Sequence, residues 1–342
     1  MPCRPRARPF LTLVCLFALL VPGRDALAVI VDTDQVAQAL ARGAIVWDTR
    51  SQEDYRRGHI PGAVNMDDPQ SVLRDGKNED LLPVGQLEQM LGDLGIDPGK
   101  AIVVYGAKGM PGAYFAQQVL RYLGASDVSV YHGGFDDWKT AGRPVSSDAS
   151  RLPAVAFQAA PREARMVGTQ EVVAAIGKPR VQIVDARTAR EFSGDDIRAL
   201  RGGHIPGAVN IPYEDNWVDP DTPRKLQRRL VQNKDGMSLK PRDELKALYA
   251  ALDPDKETIV YCQSGSRSSV TAAVLEELGF RNVRLYDGSW LVYGNTFEAP
   301  AENVSYFNVG RVNSMLNQMQ SRIDVLEAEI EELKAAAARK PR

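Results

Sequence analysis

The sequence predicts an α/β fold made of two similar halves, and three observations carry that prediction. "GHIPGAVN" stands at Gly58–Asn65 and again at Gly203–Asn210, identical at all eight positions. Each copy follows an apolar run closed by Asp-x-Arg, "AIVWDTR" in the first half and "VQIVDAR" in the second. Short apolar runs then alternate with helical patterns in the same order in both halves. Near-continuous apolar strands between helices imply parallel sheets covered on both faces, and the shared order implies an internal duplication.

The chain of 342 residues opens with Arg4, Arg6 and Arg8, an apolar run from Phe10 to Val21, and the small-residue pattern Ala26–Ala28. That is the layout of a secretory signal peptide over residues 1–28, so an exported protein, periplasmic or secreted, is expected. The run is too short to span a bilayer comfortably, and no membrane attachment is expected once the segment is removed. An uncleaved N-terminal anchor is the alternative. Removal takes away four arginines and one aspartate, which makes a chain of net charge −2 more acidic. A mildly acidic remainder without a sustained basic block argues against nucleic acid as a partner.

Two of the three cysteines, Cys3 and Cys15, lie in that leading segment, which leaves Cys262. One thiol supports neither an internal disulfide nor the sulfur ligands of a structural zinc site. No metal and no other cofactor is expected. A single thiol in an oxidising compartment is either buried and inert or put to use.

A first α/β domain is expected over residues 29–148 and a second over 167–300, with an Ala-, Ser- and Pro-containing linker over 149–166. In the second half "VVAAI", "VQIVD", "TIVYC" and "VRLYD" read as apolar stretches of strand length. "SSVTAAVLEELG" reads as a helix ended by Gly279. Tyr213–Pro241 is a charged insertion before a second helical pattern, "RDELKALYAAL".

The thiol stands in "TIVYCQSGSRSSV", where the apolar run ends and a helix begins. Ligands of parallel α/β sheets bind at such strand ends, toward helix N-termini. Gln263, Ser264, Gly265, Ser266 and Arg267 follow. A loop of small residues turns several backbone N–H groups inward and makes an anion cradle. Such donors, with Arg267 beside them, favour a nucleophilic thiolate at the base of the loop. Gly265 suits a tight turn, and Ser268 or Ser269 is placed to cap the helix. In the first half Gly106 of "YGAKGMPG" stands where Cys262 stands in the second, so only the second half carries the thiol.

The repeated "GHIPGAVN", the Asp-x-Arg after a strand, the "CQSGSR" loop and the "DGSW" turn together resemble the rhodanese family. The resemblance is to its two-domain thiosulfate sulfurtransferases, whose first domain is inactive. It covers roughly Val29 to Ala299 and implies two rhodanese-like domains. It also implies transfer of a sulfane sulfur from a small-molecule donor to Cys262, and from there to a thiophilic acceptor such as cyanide or a thiol. The implied intermediate is a covalent persulfide, expected to be held by Gln263, Ser264, Gly265, Ser266 and Arg267. The four-residue spacing between Cys262 and Arg267 is one short of the cysteine-dependent phosphatase loop. It also differs from the arginine-free loop of mercaptopyruvate enzymes, which stay open as an alternative. A non-catalytic module binding a sulfur anion or a thiol is the other. Glu191 stands where animal members place a substrate-binding arginine; Arg190 is the nearest substitute and Arg187 a further candidate. Asp185 and His204, with their first-half counterparts Asp48 and His59, recur in both halves and are expected to be structural. Trp290 is expected to pack near the pocket mouth.

The tail has its own pattern. Val309, Val312, Leu316, Met319, Ile323, Leu326, Ile330 and Leu333 alternate steps of three and four. This predicts a coiled-coil helix over 309–338 and a homo-oligomer, with Arg322 facing Glu327 and Glu329 facing Lys334 of a parallel neighbour. A helix folded onto its own domain is the alternative.

Overall fold

The computed structural model of the chain describes residues 28–77 and 79–338. The expected signal peptide, with Cys3 and Cys15, lies outside the described residues apart from Ala28. The first sheet contains β1 (Ile30–Val31), β2 (Ile45–Asp48), β3 (Val64–Asn65), β4 (Ile102–Tyr105) and β5 (Val128–Tyr131). Their spatial order is β1-β5-β4-β2-β3, and all pairs are parallel. The second half supplies β6 (Val181–Asp185), β7 (Arg201–His204), β8 (Val209–Asn210), β9 (Glu257–Tyr261), β10 (Asn282–Leu285) and β11 (Glu302–Tyr306). Its main sheet runs β10-β9-β6-β8, again parallel, and β7 pairs antiparallel with β11.

The duplication is visible in the register. Asp48 lies opposite Tyr105 on the β2–β4 ladder, and Asp185 lies opposite Tyr261 on the β6–β9 ladder. Even the small pieces repeat. The lone bridge His59–Ser146 of the first half takes the place of the His204–Glu302 pairing of the second.

One sequence expectation needs correction. "VVAAI" is not a strand: it lies in and just beyond the helix Thr169–Ala175, where Glu171 takes the Gly168 N–H and starts a helical turn. Beyond residue 300, β11 still pairs with β7 of the second half. The linker packs on the first domain. Val155 N–H donates to Gly92 O, Ala160 N–H to Leu123 O, and Phe157 is buried in the first domain's core.

The helix Ser266–Leu278, which follows the cysteine, is apolar or small on most of its faces and buried along most of its length. It packs with the equivalent first-domain helix, Pro111–Tyr122. Val270 and Ala273 accordingly belong to the first domain's core, whereas Ala272, Val274 and Leu275 belong to their own. A helix enclosed between two cores needs no polar stripe. Ion pairs from Arg121 and Arg165 to Glu276 flank this junction.

Candidate active site

β9 delivers Cys262 from its last residue, Tyr261, into the turn that opens the helix Ser266–Leu278. Gly265 occupies the left-handed region at φ 83°, which bends the chain sharply into the helix. Cys262 is 1% exposed. Its N–H and that of Gly265 both donate to Ser289 Oγ at 3.1 Å, and Ser289 Oγ donates to Tyr286 O at 2.7 Å. Trp290 N–H returns to Cys262 O, and Leu291 N–H to Gln263 O. The "DGSW" turn therefore holds the loop from outside.

One of the expected cradle donors, the Gly265 N–H, is thus spent on Ser289, as is the N–H of Cys262 itself. The Gln263 and Ser264 N–H groups have no acceptor among the described residues. Those of Ser266, Arg267 and Ser268 open a helix, where first-turn donors lack an intrahelical acceptor. These groups are the donors left over for an anion at the loop. Ser268 and Ser269 do not cap: both hydroxyls donate back to Gly265 O, and Ser268 Oγ also lies 3.5 Å from Cys262 Sγ.

Arg267 is not a free cation. Its two terminal nitrogens each donate to one Glu191 oxygen at 2.7 Å. Glu191 is buried and also takes the Thr188 N–H and hydroxyl, with Arg198 at 3.4 Å. Burial by itself raises this carboxyl; the Arg267 pair overrides it and holds Glu191 down at about 2. Gln263 donates through Nε2 to Arg198 O, while its buried Oε1 has no partner among the described residues.

Arg187 is bound up by partners of its own half. It is 1% exposed, forms a two-pronged pair with Asp185, and donates to Gly203 O at 2.7 Å, with Trp290 under its guanidinium at 4.5 Å. Arg50 repeats this arrangement with Asp48 and Gly58 O in the half that has no thiol, which fits a structural role. Arg190 lies exposed on the helix Ala189–Ser193. His204 stacks on Phe192 and donates to its carbonyl; His59 does the same with Tyr55. Asn65 and Asn210 each close the turn after their Asp-x-Arg with two bonds. Trp290 is fully buried and donates to Arg201 O, so it packs beneath the site and not at its mouth.

Two residues escaped the sequence reading. Ser289 is signalled only by its place in "DGSW". Arg74, whose guanidinium reaches Asp287 from the other domain, has no local signal.

Fold and site together define a tandem α/β protein with one cysteine-bearing anion loop on a duplicated scaffold. Comparison with known proteins agrees. The rhodanese-like domain model matches twice, over residues 32–141 and 168–296. The chain belongs to the rhodanese family. It is 35% identical over 267 residues to the thiosulfate sulfurtransferase of Corynebacterium glutamicum, covering 74% of this chain and 83% of that one. A relative from Saccharopolyspora erythraea is 34% identical over 289 residues, covering 80% and 96% of the two chains. Among solved structures, the Escherichia coli 3-mercaptopyruvate sulfurtransferase SseA is 30% identical with a TM-score of 0.64, covering 77% of this chain and 99% of its own. EanB in complex with ergothioneine shares the fold at 23% identity and TM-score 0.69, covering 80% of this chain and 70% of its own.

Proposed function

We propose that the chain is an exported thiosulfate sulfurtransferase that works through a persulfide on Cys262. The Cys262 thiolate attacks the outer sulfur of thiosulfate. A new S–S bond forms, the sulfur–sulfur bond of thiosulfate breaks, and sulfite leaves with the electron pair. A thiophilic acceptor then attacks the outer persulfide sulfur and restores the thiolate. Cyanide becomes thiocyanate and a thiol becomes a persulfide. The free N–H groups of Gln263, Ser264, Ser266, Arg267 and Ser268 hold the anionic outer sulfur.

One observation carries this reading. The one thiol of the described chain sits at a strand's carboxyl end, beneath unspent backbone donors that have no structural acceptor. The similarity to the Corynebacterium glutamicum enzyme supports thiosulfate as donor. The Arg267–Glu191 pair favours a second reading, because it removes one uncompensated positive charge from beside the loop. A donor with less charge than thiosulfate, such as 3-mercaptopyruvate, suits a neutralised arginine better.

Two experiments test these readings. Thiosulfate treatment should add one sulfur to the wild-type mass, and Cys262→Ser should gain none and lose all transfer while keeping its fold. An active serine variant would sink the persulfide route. Steady-state comparison of thiosulfate and mercaptopyruvate with cyanide as acceptor separates the donors. Turnover of neither, on a folded protein, would leave a binding module.

A further inference from the structure

We propose that Arg74, in the domain without the thiol, is a positioning residue for the cysteine loop of the other domain, acting through Asp287. The proposal rests on the sulfurtransferase reading for its kinetic consequence, but its structural basis is independent of it.

Arg74 follows the short helix Pro69–Val72 and its side chain is 4% exposed. Its guanidinium lies 4.3 Å over the Phe115 ring and donates to the Glu79 carbonyl, so its own domain holds it in place. From there it crosses the interface and donates to both carboxylate oxygens of Asp287. Asp287 opens the "DGSW" turn. Two residues on, Ser289 Oγ accepts the N–H groups of Cys262 and Gly265. The next two backbone N–H groups, those of Trp290 and Leu291, donate to the carbonyls of Cys262 and Gln263. The turn therefore grips the loop at four points, and Arg74 grips the turn.

The contact with the loop is also direct in space. A Cβ built on Gly265 would stand 2.5 Å from Asp287 Oδ1 and 2.9 Å from Arg74 Nη2. The ion pair fills the volume beside the Gly265 Cα and forms one wall of the left-handed bend that aims the loop. Without Arg74, Asp287 is a buried carboxylate facing Glu79 and Asp80, and burial already raises its pKa. A carboxylate stranded in this way turns outward or takes up a proton. Either change frees the Gly265 wall and loosens the frame around Cys262. The thiol-less half thus supplies a part of the frame that the thiol-bearing half does not make for itself.

The test uses Arg74→Ala and Arg74→Gln in the full chain, with Arg121→Ala as control. Arg121 makes an interdomain pair with Glu276 that touches neither the loop nor the turn. Two readouts are followed: steady-state sulfur transfer from thiosulfate to cyanide, and the rate at which iodoacetamide alkylates Cys262. In both Arg74 variants kcat should fall roughly tenfold or more with KM within about twofold, since misplacing reacting groups costs rate more than binding. Alkylation of the 1% exposed thiol should speed up several-fold at the same time. The control should match wild type in both. Alkylation does not depend on turnover, so it reads the loop even if thiosulfate proves not to be the donor. A folded Arg74→Ala or Arg74→Gln protein with wild-type kcat and wild-type alkylation rate overturns the proposal, as does an equal change in the Arg121→Ala control.

Discussion

Glu191 shows what one side chain does to the chemistry beside it. Its carboxylate holds both ends of Arg267, and its pKa is held at about 2, below the ordinary value of 4.5. A depressed carboxylate contributes stability that is fully present above its unfolded pKa and is lost as pH falls through the folded one. The pH window is therefore about 4.5 down to about 2, and the contribution is roughly 2–4 kcal/mol at neutral pH. Glu191→Gln should be less stable than wild type at pH 7, and the gap should close progressively across that window. Urea midpoints measured at several pH values check this, and a constant gap would rule out the linkage. The sequence exposed Cys262 and Arg267 because both lie in one short loop. It marked Glu191 through the family resemblance but could not expose its pairing with Arg267, since the two are 76 positions apart and meet only through the fold. Arg187 is the opposite case: its partner Asp185 stands two positions away in the Asp-x-Arg motif, where the sequence shows it.

At the scale of elements, the repeated octapeptide explains why so much was legible. "GHIPGAVN" is a clip, and each of its polar residues has a fixed structural partner. The histidine stacks on an aromatic ring and bonds its carbonyl, the next N–H reaches a tyrosine hydroxyl, and the asparagine ties the Asp-x-Arg turn. The bonds appear in the half with the thiol and in the half without it, so the motif encodes scaffold and not chemistry. Asn65→Ala and Asn210→Ala should therefore cost similar stability, about 1–3 kcal/mol each for the orphaned carbonyls. Asn65→Ala should leave kcat unchanged. Denaturant titration and steady-state assay decide, and a rate defect from Asn65→Ala would contradict the assignment. Elements were misread where local and tertiary signals differ. "VVAAI" is β-branched enough to pass for a strand, yet an upstream glutamate cap makes it helical.

At the scale of the whole molecule, the tail stands apart from the body. The helix Val309–Ala338 presents its seam to solvent: Leu316 is 56% exposed, Met319 59% and Leu333 69%. This removes the alternative of a helix packed on its own domain. A row of exposed aliphatic residues along a helix of 30 residues is costly to leave in water. We propose that a second copy of the chain covers it, because the seam repeats every three and four residues and the flanking charges at Arg322, Glu327, Glu329 and Lys334 would attract across a parallel pair. Where to cut the chain follows from β11. Ending it near residue 301 would strip Glu302–Tyr306 from β7 and expose the strand that carries His204. Ending it at Asn308 removes only the helix. The Asn308 truncation should keep the full-length unfolding midpoint and sulfur-transfer rate while its mass by light scattering falls from an oligomer to a monomer. The truncation at residue 301 should instead lose stability, because His204 loses its Glu302 contact and β7 its antiparallel partner. A full-length chain that is already monomeric at micromolar concentration would refute self-association through the seam.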